Sequence, residues 1–202
     1  MKGEYLTIKR QARVKIPVGA CRFIASVASC QEEEEARAFI EKVKEEFSDA
    51  THNAYAYKLG TGDRALSRTS DDQEPAGTAG PPLLSAIEKG GLTNVVVVGT
   101  RYFGGIKLGI GGLIRAYRAC GEAGLKEAGV QKKIIYRRYL LTCPYDHVGQ
   151  VMKEISGLQG EIREINYTSQ VRIDLSLPPS REKGFKGRLK DITRGKGRLE
   201  EY

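Results

Sequence analysis

Apolar and polar positions follow one another along this chain in two different rhythms. Residues 22–29 form a run suited to a strand, and Ser29 with Glu32 has the spacing of a capping box heading a helix. The helix predicted next places Ala36, Phe39, Ile40, Val43 and Phe47 on one face, the face that would pack on a sheet. Glu32 to Glu35 then fall in its first turn, where the positive end of the helix dipole favours carboxylates. Residues 53–59 and 65–69 read as strands. Pro81 and Pro82 open a helix through Lys89, because a first turn does not need the N–H that proline lacks. Residues 94–99, with four consecutive valines, are expected to be a strand buried on both faces. A glycine-rich loop follows, and then a helix from about Gly112 to Ala128.

The second rhythm is simpler. Residues 134–143 predict a strand, and residues 145–158 a helix with Val148, Val151, Met152, Ile155 and Leu158 on one face. Two further strands follow at 161–167 and 171–177. In the latter, Val171, Ile173, Leu175 and Leu177 alternate with polar residues, as in a sheet with one wet face. A helix over about 180–193 and a strand at 198–202 complete the order βαββαβ, that of the ferredoxin-like motif. The rhythm changes near 129–133, where a helix ends in glycine before a charged connector. The expectation is an α+β protein of two domains, 1–130 and 134–202.

Composition narrows the function classes. Of 202 residues, 40% are hydrophobic and 29% charged, as in ordinary globular chains. No apolar run approaches the roughly 20 residues of a membrane span. The first residues, MKGEYLTIKRQARVKIP, lack the apolar stretch of a secretory signal, so a cytoplasmic protein is expected. Cys21, Cys30, Cys120 and Cys143 form no CxxC pair, and His52 and His147 are the only histidines. Such a set predicts reduced thiols and neither a transition-metal site nor a cofactor. The net charge of +8 is uneven: residues 131–202 hold 15 Lys and Arg against 9 Asp and Glu. A basic domain can attract an acidic partner, of which nucleic acid is the commonest.

The candidate chemistry lies between Ser70 and Arg118. Gly104, Gly105, Gly109, Gly111 and Gly112 crowd the loop ahead of a helix, where a backbone can approach a ligand closely. The free N–H groups of that helix could hold an anion, with Arg101, Lys107 and Arg115 supplying charge. Close helix–sheet packing would equally explain the glycines. Arg115, Arg118, Glu122 and Lys126 would equally form a solvated stripe of ion pairs spaced by about one turn. Neither a Walker A motif nor GxGxxG spacing is present. Upstream, the turn of Ser70, Asp71, Asp72, Glu74, Gly77 and Thr78 gathers three carboxylates. They could hold Mg²⁺ with substrate phosphates or move protons. Alternatively they cap backbone N–H groups or pair with arginines such as Arg68 and Arg101.

SDDQEPAGTAGPP together with NVVVVGTRYFGGIKLGIGGLIRAY resembles the signature of the YigZ/IMPACT family, and residues 52–57, HNAYAY, fit the family's upstream strand. Gln73 stands where the family usually has glycine. The resemblance implies a first domain like domain 2 of ribosomal protein S5. It implies a second like domain V of elongation factor G, and a link to regulation of translation under stress. It also implies RNA or the ribosome as partner, with a protein partner as a further possibility. The amino-terminal RWD domain of eukaryotic relatives is absent from this sequence, so the partner it docks to does not carry over. In the last helix Lys183, Lys186, Lys190 and Arg194 fall in one arc, a secondary basic stripe that could track phosphates or simply face solvent. The leading expectation is a binding module. The alternative is an enzyme acting on a phosphorylated or peptide substrate through Asp71, Asp72 and Glu74.

Overall fold

The computed structural model describes residues 3–62 and 65–202. The chain divides into two units: residues 5–133, and residues 134–202 together with Gly3 and Glu4. Along the first run β1 (Glu4–Ile8), β2 (Ala12–Val18), β3 (Cys21–Ser29), α1 (Glu33–Glu46), β4 (His52–Leu59), β5 (Leu66–Ser70), α2 (Gly80–Lys89), β6 (Val95–Tyr102), α3 (Gly109–Ala128) and β7 (Val130–Ile134). Five strands lie in the order β2-β3-β6-β4-β5, each antiparallel to its neighbour. Val95 and Val97 enter a core shared with α2 and α3, while Val96 and Val98 enter a second core beneath α1. Strand β6 therefore has no wet face, which is why it is apolar at every position up to Gly99. A Cβ on Gly124 would lie 2.7 Å from Ala25 Cβ and 2.8 Å from Val27 Cγ2, so glycine there lets α3 press on the sheet.

Several local expectations shift. No capping box forms: α1 begins at Glu33, and Glu35 instead accepts the Gln31 N–H at 2.7 Å. Helix α3 begins at Gly109 rather than near Gly112. The connector expected at 129–133 is itself a strand, β7, paired with β1. The long strand expected over 134–143 breaks at residues 135–136, so its main part starts at Arg137. Glu122 reaches Lys89 of α2 at 2.9 Å rather than Arg118, while Arg115, Arg118 and Lys126 are exposed.

The second unit runs β8 (Arg137–Cys143), a 3-10 turn (Tyr145–His147), α4 (Val148–Gly157), β9 (Glu161–Tyr167), β10 (Val171–Leu177), α5 (Pro179–Ile192) and β11 (Arg198–Glu201). Its antiparallel sheet has the order β11-β8-β10-β9, so the unit has the ferredoxin-like βαββαβ topology. Tyr139, Leu141, Cys143, Val171, Ile173, Leu175 and Leu177 form one core with α4 and α5. The intervening positions leave the opposite face of the sheet without a helix. All four cysteines are buried and free. No helix among the described residues is long and apolar enough to cross a membrane.

Candidate functional site

The acidic turn spends its carboxylates inside the fold. Helix α2 starts Gly80-Pro81-Pro82 and its N-cap, Ala79, has no side chain able to cap. Asp71 does that work from a distance: Oδ1 accepts the N–H groups of Ala79 and Gly80, both at 2.9 Å, and Oδ2 accepts that of Gly77 at 2.8 Å. Asp72 Oδ2 accepts the Asn53 N–H at 2.6 Å, and the Ser70 hydroxyl accepts the Asp72 N–H at 3.2 Å. Thr78 is buried and donates its hydroxyl to the Pro75 carbonyl at 2.7 Å. Asp72 and Gln73 sit at φ 47° and 70°, so the turn forms in the left-handed region without glycine at either position.

Burial opposes ionisation of Asp71, yet the backbone donors from Gly77, Ala79 and Gly80 hold its pKa below the ordinary 3.8. A depressed folded-state value means stability that is complete above the unfolded value and lost as pH falls through the folded one. Unfolding free energy is therefore expected to fall as pH drops below about 4, more gently in Asp71→Asn. The fall persists in that variant because Glu33, Glu46 and Glu182 also lie below their usual value. Denaturant titrations at stepped pH measure it.

Glu74 is the buried centre. Its side chain is 2% exposed and that of Arg101 7%. Arg101 Nη1 donates to Glu74 Oε1 at 2.8 Å and Oε2 at 3.1 Å, and the Tyr117 hydroxyl donates to Oε1 at 2.8 Å. Burial alone would lower the Arg101 pKa, but the Cys21 sulfur at 3.5 Å and Glu74 raise it, so the guanidinium keeps its charge. Burial pushes the Tyr117 phenol far up, and it remains a donor at any working pH. His52 lies at the edge, with Nδ1–H donating to the Asp72 carbonyl at 2.8 Å and Nε2 3.8 Å from Glu74 Oε2. Gly99 makes room for this cluster: a Cβ there would lie 3.1 Å from the Tyr117 ring.

Arg101 was expected in the loop and is instead a buried residue of β6. Its alternation with Val95, Val97 and Gly99 points it to the α3 side, where Glu74 waits. Among the described residues, Arg101 Nε is buried without a hydrogen-bond partner. Over this pair opens a cleft of about 430 Å³, lined by His52, Phe103, Lys107, Leu108, Ile110 and Leu113 among others. The glycines divide by task. A Cβ on Gly104 would lie 1.9 Å from the Ala20 carbonyl oxygen, so the loop lies on the β2–β3 turn only with glycine there. Gly105 and Gly109 have φ of 86° and 69°, while Gly111 and Gly112 are in the first turn of α3. No side chain caps that helix.

Lys107 and Arg115 are exposed, as are Phe103, Ile106 and Ile110. The structure therefore brings Lys107, Arg101 and Glu74 to one cleft and places Arg115 outside its lining, in the second turn of α3. Arg68 stays apart, bonded weakly to the Ser67 carbonyl. In the second unit Lys183, Lys186, Lys190 and Arg194 are exposed, but Lys186 is held by Glu182 at 2.7 Å and Arg194 lies beyond the end of α5. Among the described residues no three His, Cys, Asp or Glu side chains are grouped to hold a metal ion. Sequence reasoning did not assign Phe103, Ile110, His52 or Tyr117 to the site. The aromatic and aliphatic residues interrupting a glycine-rich loop were the available signal for Phe103 and Ile110.

The sequence matches the family described as Impact N-terminal domain over residues 20–125, and a domain of unknown function, DUF1949, over residues 141–196. It is 35% identical over 201 residues to IMPACT family member YvyE of Bacillus subtilis (strain 168), covering 100% of this chain and 92% of that protein. It is 42% identical over 177 residues to an IMPACT family member in the pol 5' region of Thermus thermophilus, covering 87% and 94%. A crystal structure of a protein described as hypothetical superposes with a TM-score of 0.76 at 32% identity, covering 99% of this chain and 98% of that one.

Proposed function

Because the chain belongs to the IMPACT family, we propose that it is a binding module that associates with RNA or the ribosome and takes part in the regulation of translation. One observation carries this reading: at the loop over Arg101, the carboxylates point inward and the cations outward. Asp71, Asp72 and Glu74 are occupied by backbone N–H groups, Arg101 and Tyr117. Lys107 and Arg115 remain exposed, and Lys107 shares its cleft with the exposed ring of Phe103. Such a surface can neutralise phosphates and stack a base, whereas its carboxylates are not free to handle a substrate. The exposed aliphatic side chains of Ile106 and Ile110 favour, as a second reading, docking of a protein partner at the same loop.

Sedimentation with ribosomal particles tests the proposal. The protein should pellet with them at about 50 mM salt and be released at about 200 mM, since each neutralised phosphate adds to the salt dependence. Asp72→Asn should pellet equally well. Absence from the pellet at low salt would sink the proposal, and retention regardless of salt would favour the protein partner.

A further inference from the structure

We propose that the cleft over Arg101 binds a small apolar monocarboxylate. Lys107 and the first N–H groups of α3 hold the carboxylate, and Phe103, Leu108 and Leu113 wall its apolar body. The inference goes beyond the RNA reading and does not depend on it, because the ligand is a small molecule seated within the first unit.

Positive potential converges on the cleft from its own lining. Arg101 and Lys107 stand there against one carboxylate, Glu74, so with His52 neutral the lining has one positive charge in excess. Both Glu74 oxygens are engaged, Oε1 by Arg101 and Tyr117 and Oε2 by Arg101 at 3.1 Å. Among the described residues Lys107 makes no ion pair. Helix α3 adds its positive end. It is 20 residues long, with no capping side chain and no acidic residue in its first turn. Its leading N–H groups have no partner inside the helix, and their dipole attracts an anion. Gly109 and Ile110, which carry the first two of them, line the cleft. Arg101 contributes an observation of a different kind. Its side chain is 7% exposed, and its Nε is the one buried side-chain nitrogen or oxygen among the described residues that lacks a hydrogen-bond partner. Native folds rarely leave such a donor unmet by protein, ligand or water. This one belongs to a guanidinium in the lining of the cleft.

Size, charge and walls choose the occupant. A volume of about 430 Å³ lies in the lower part of the range for small-molecule sites, roughly 300–1,000 Å³. One excess positive charge is matched by a monoanion, whereas a polyphosphate would bring several negative charges against it. Apart from Thr51 and His52, the remaining side chains of the wall are apolar: Pro75, Phe103, Leu108, Ile110 and Leu113. The Thr51 hydroxyl already accepts the Phe103 N–H at 3.0 Å. Sugar hydroxyls would find few partners there, while an aryl or alkyl body gains by leaving water. The Phe103 ring borders the charged end, its centre 5.3 Å from Arg101 Cζ. A carboxylate on an apolar body meets each condition. Free acids offer that group, and so does the carboxy terminus of a short peptide with an apolar last residue.

NMR titration of the full chain with phenylacetate tests the assignment, with phenylacetamide as its uncharged match. The acid should shift the backbone amide signals of residues 107–111 and the Arg101 Nε–H signal. It should bind about tenfold or more tightly than the amide, the difference that charge-assisted hydrogen bonds make. Lys107→Ala should weaken the acid about threefold or more and leave the amide unchanged, since it removes one exposed charge. Lys107 is exposed, so the thermal transition of that variant should match the parent's. Arg115 lies outside the lining, so Arg115→Ala should leave acid binding as it is while weakening RNA association. Tighter binding of the tripeptide alanyl-alanyl-phenylalanine than of phenylacetate would assign the site to peptide termini, and the reverse to free acids. No shift at the limit of the acid's solubility, equal binding of acid and amide, or an acid affinity untouched by Lys107→Ala would overturn the proposal. None of those results touches the RNA reading, which stands or falls on salt-dependent pelleting.

Discussion

Glu74→Ala is expected to destabilise the protein by about 3–5 kcal/mol, because it leaves the Arg101 guanidinium buried without its counter-charge. The side chains are 2% and 7% exposed, so water cannot replace the missing partner. Tyr117 would lose its acceptor as well, and a buried donor left unpaired adds to the cost. In thermal unfolding of the full chain this corresponds to a shift of roughly 6–20 °C. Replacing both ends with apolar groups, Glu74→Leu with Arg101→Met, should recover most of the loss, since removing a buried pair together also removes its desolvation cost. A Glu74→Ala transition within about 1 kcal/mol of the parent would show that the pair is solvated and that no buried charge floors the cleft.

Gly104→Ala should be the most disruptive single methyl in the loop. The added carbon would sit 1.9 Å from the Ala20 carbonyl oxygen, far inside van der Waals distance. Backbone cannot rotate aside as a side chain can, so residues 103–108 must lift off the β2–β3 turn. Overpacking of this kind costs about 1–3 kcal/mol. The larger consequence is positional, because Phe103 and Lys107 move together. Association with RNA or ribosomal particles is expected to fall at least as far in Gly104→Ala as in Lys107→Ala. Gly105→Ala isolates the steric effect: its position has open space but φ of 86°, so it strains the backbone without pushing on Ala20. Equal binding by Gly104→Ala and the parent would mean that the loop's seat on the turn does not matter for recognition.

The valine run of β6 was legible because a strand buried on both faces leaves an unbroken apolar signature. The βαββαβ order was legible because β10 alternates residue by residue. Strand β1 was not, since its partner lies far away in sequence: Lys9 N–H reaches the Gly129 carbonyl at 3.0 Å, and local pattern carries no sign of that. The capping box was misread for a related reason, as Ser29 is the last residue of β3 and cannot also head a helix.

At the site, the turn and the loop were visible as motifs, and the pairing of their charges was one of two open readings. Only the fold shows that Arg101 leaves the surface, because strand alternation turns it towards α3, where Tyr117 and Glu74 meet it. Asp71 illustrates the same difficulty. Its work as a remote cap follows from Ala79 having no capping group, a fact that becomes informative once α2 is known to start at Gly80.

The inward turn of the carboxylates and the outward turn of Lys107 and Arg115 together carry the proposed function. Its most direct test is the binding of ribosomal RNA as a function of salt, parent against Lys107→Ala with Arg115→Ala. The parent should bind at low ionic strength, with an affinity that falls steeply as salt rises. The double variant should bind more weakly, with a slope shallower by ~1.4, as expected when two phosphates of a single strand are no longer neutralised. Identical affinities and slopes, or no binding by the parent at low salt, would contradict it.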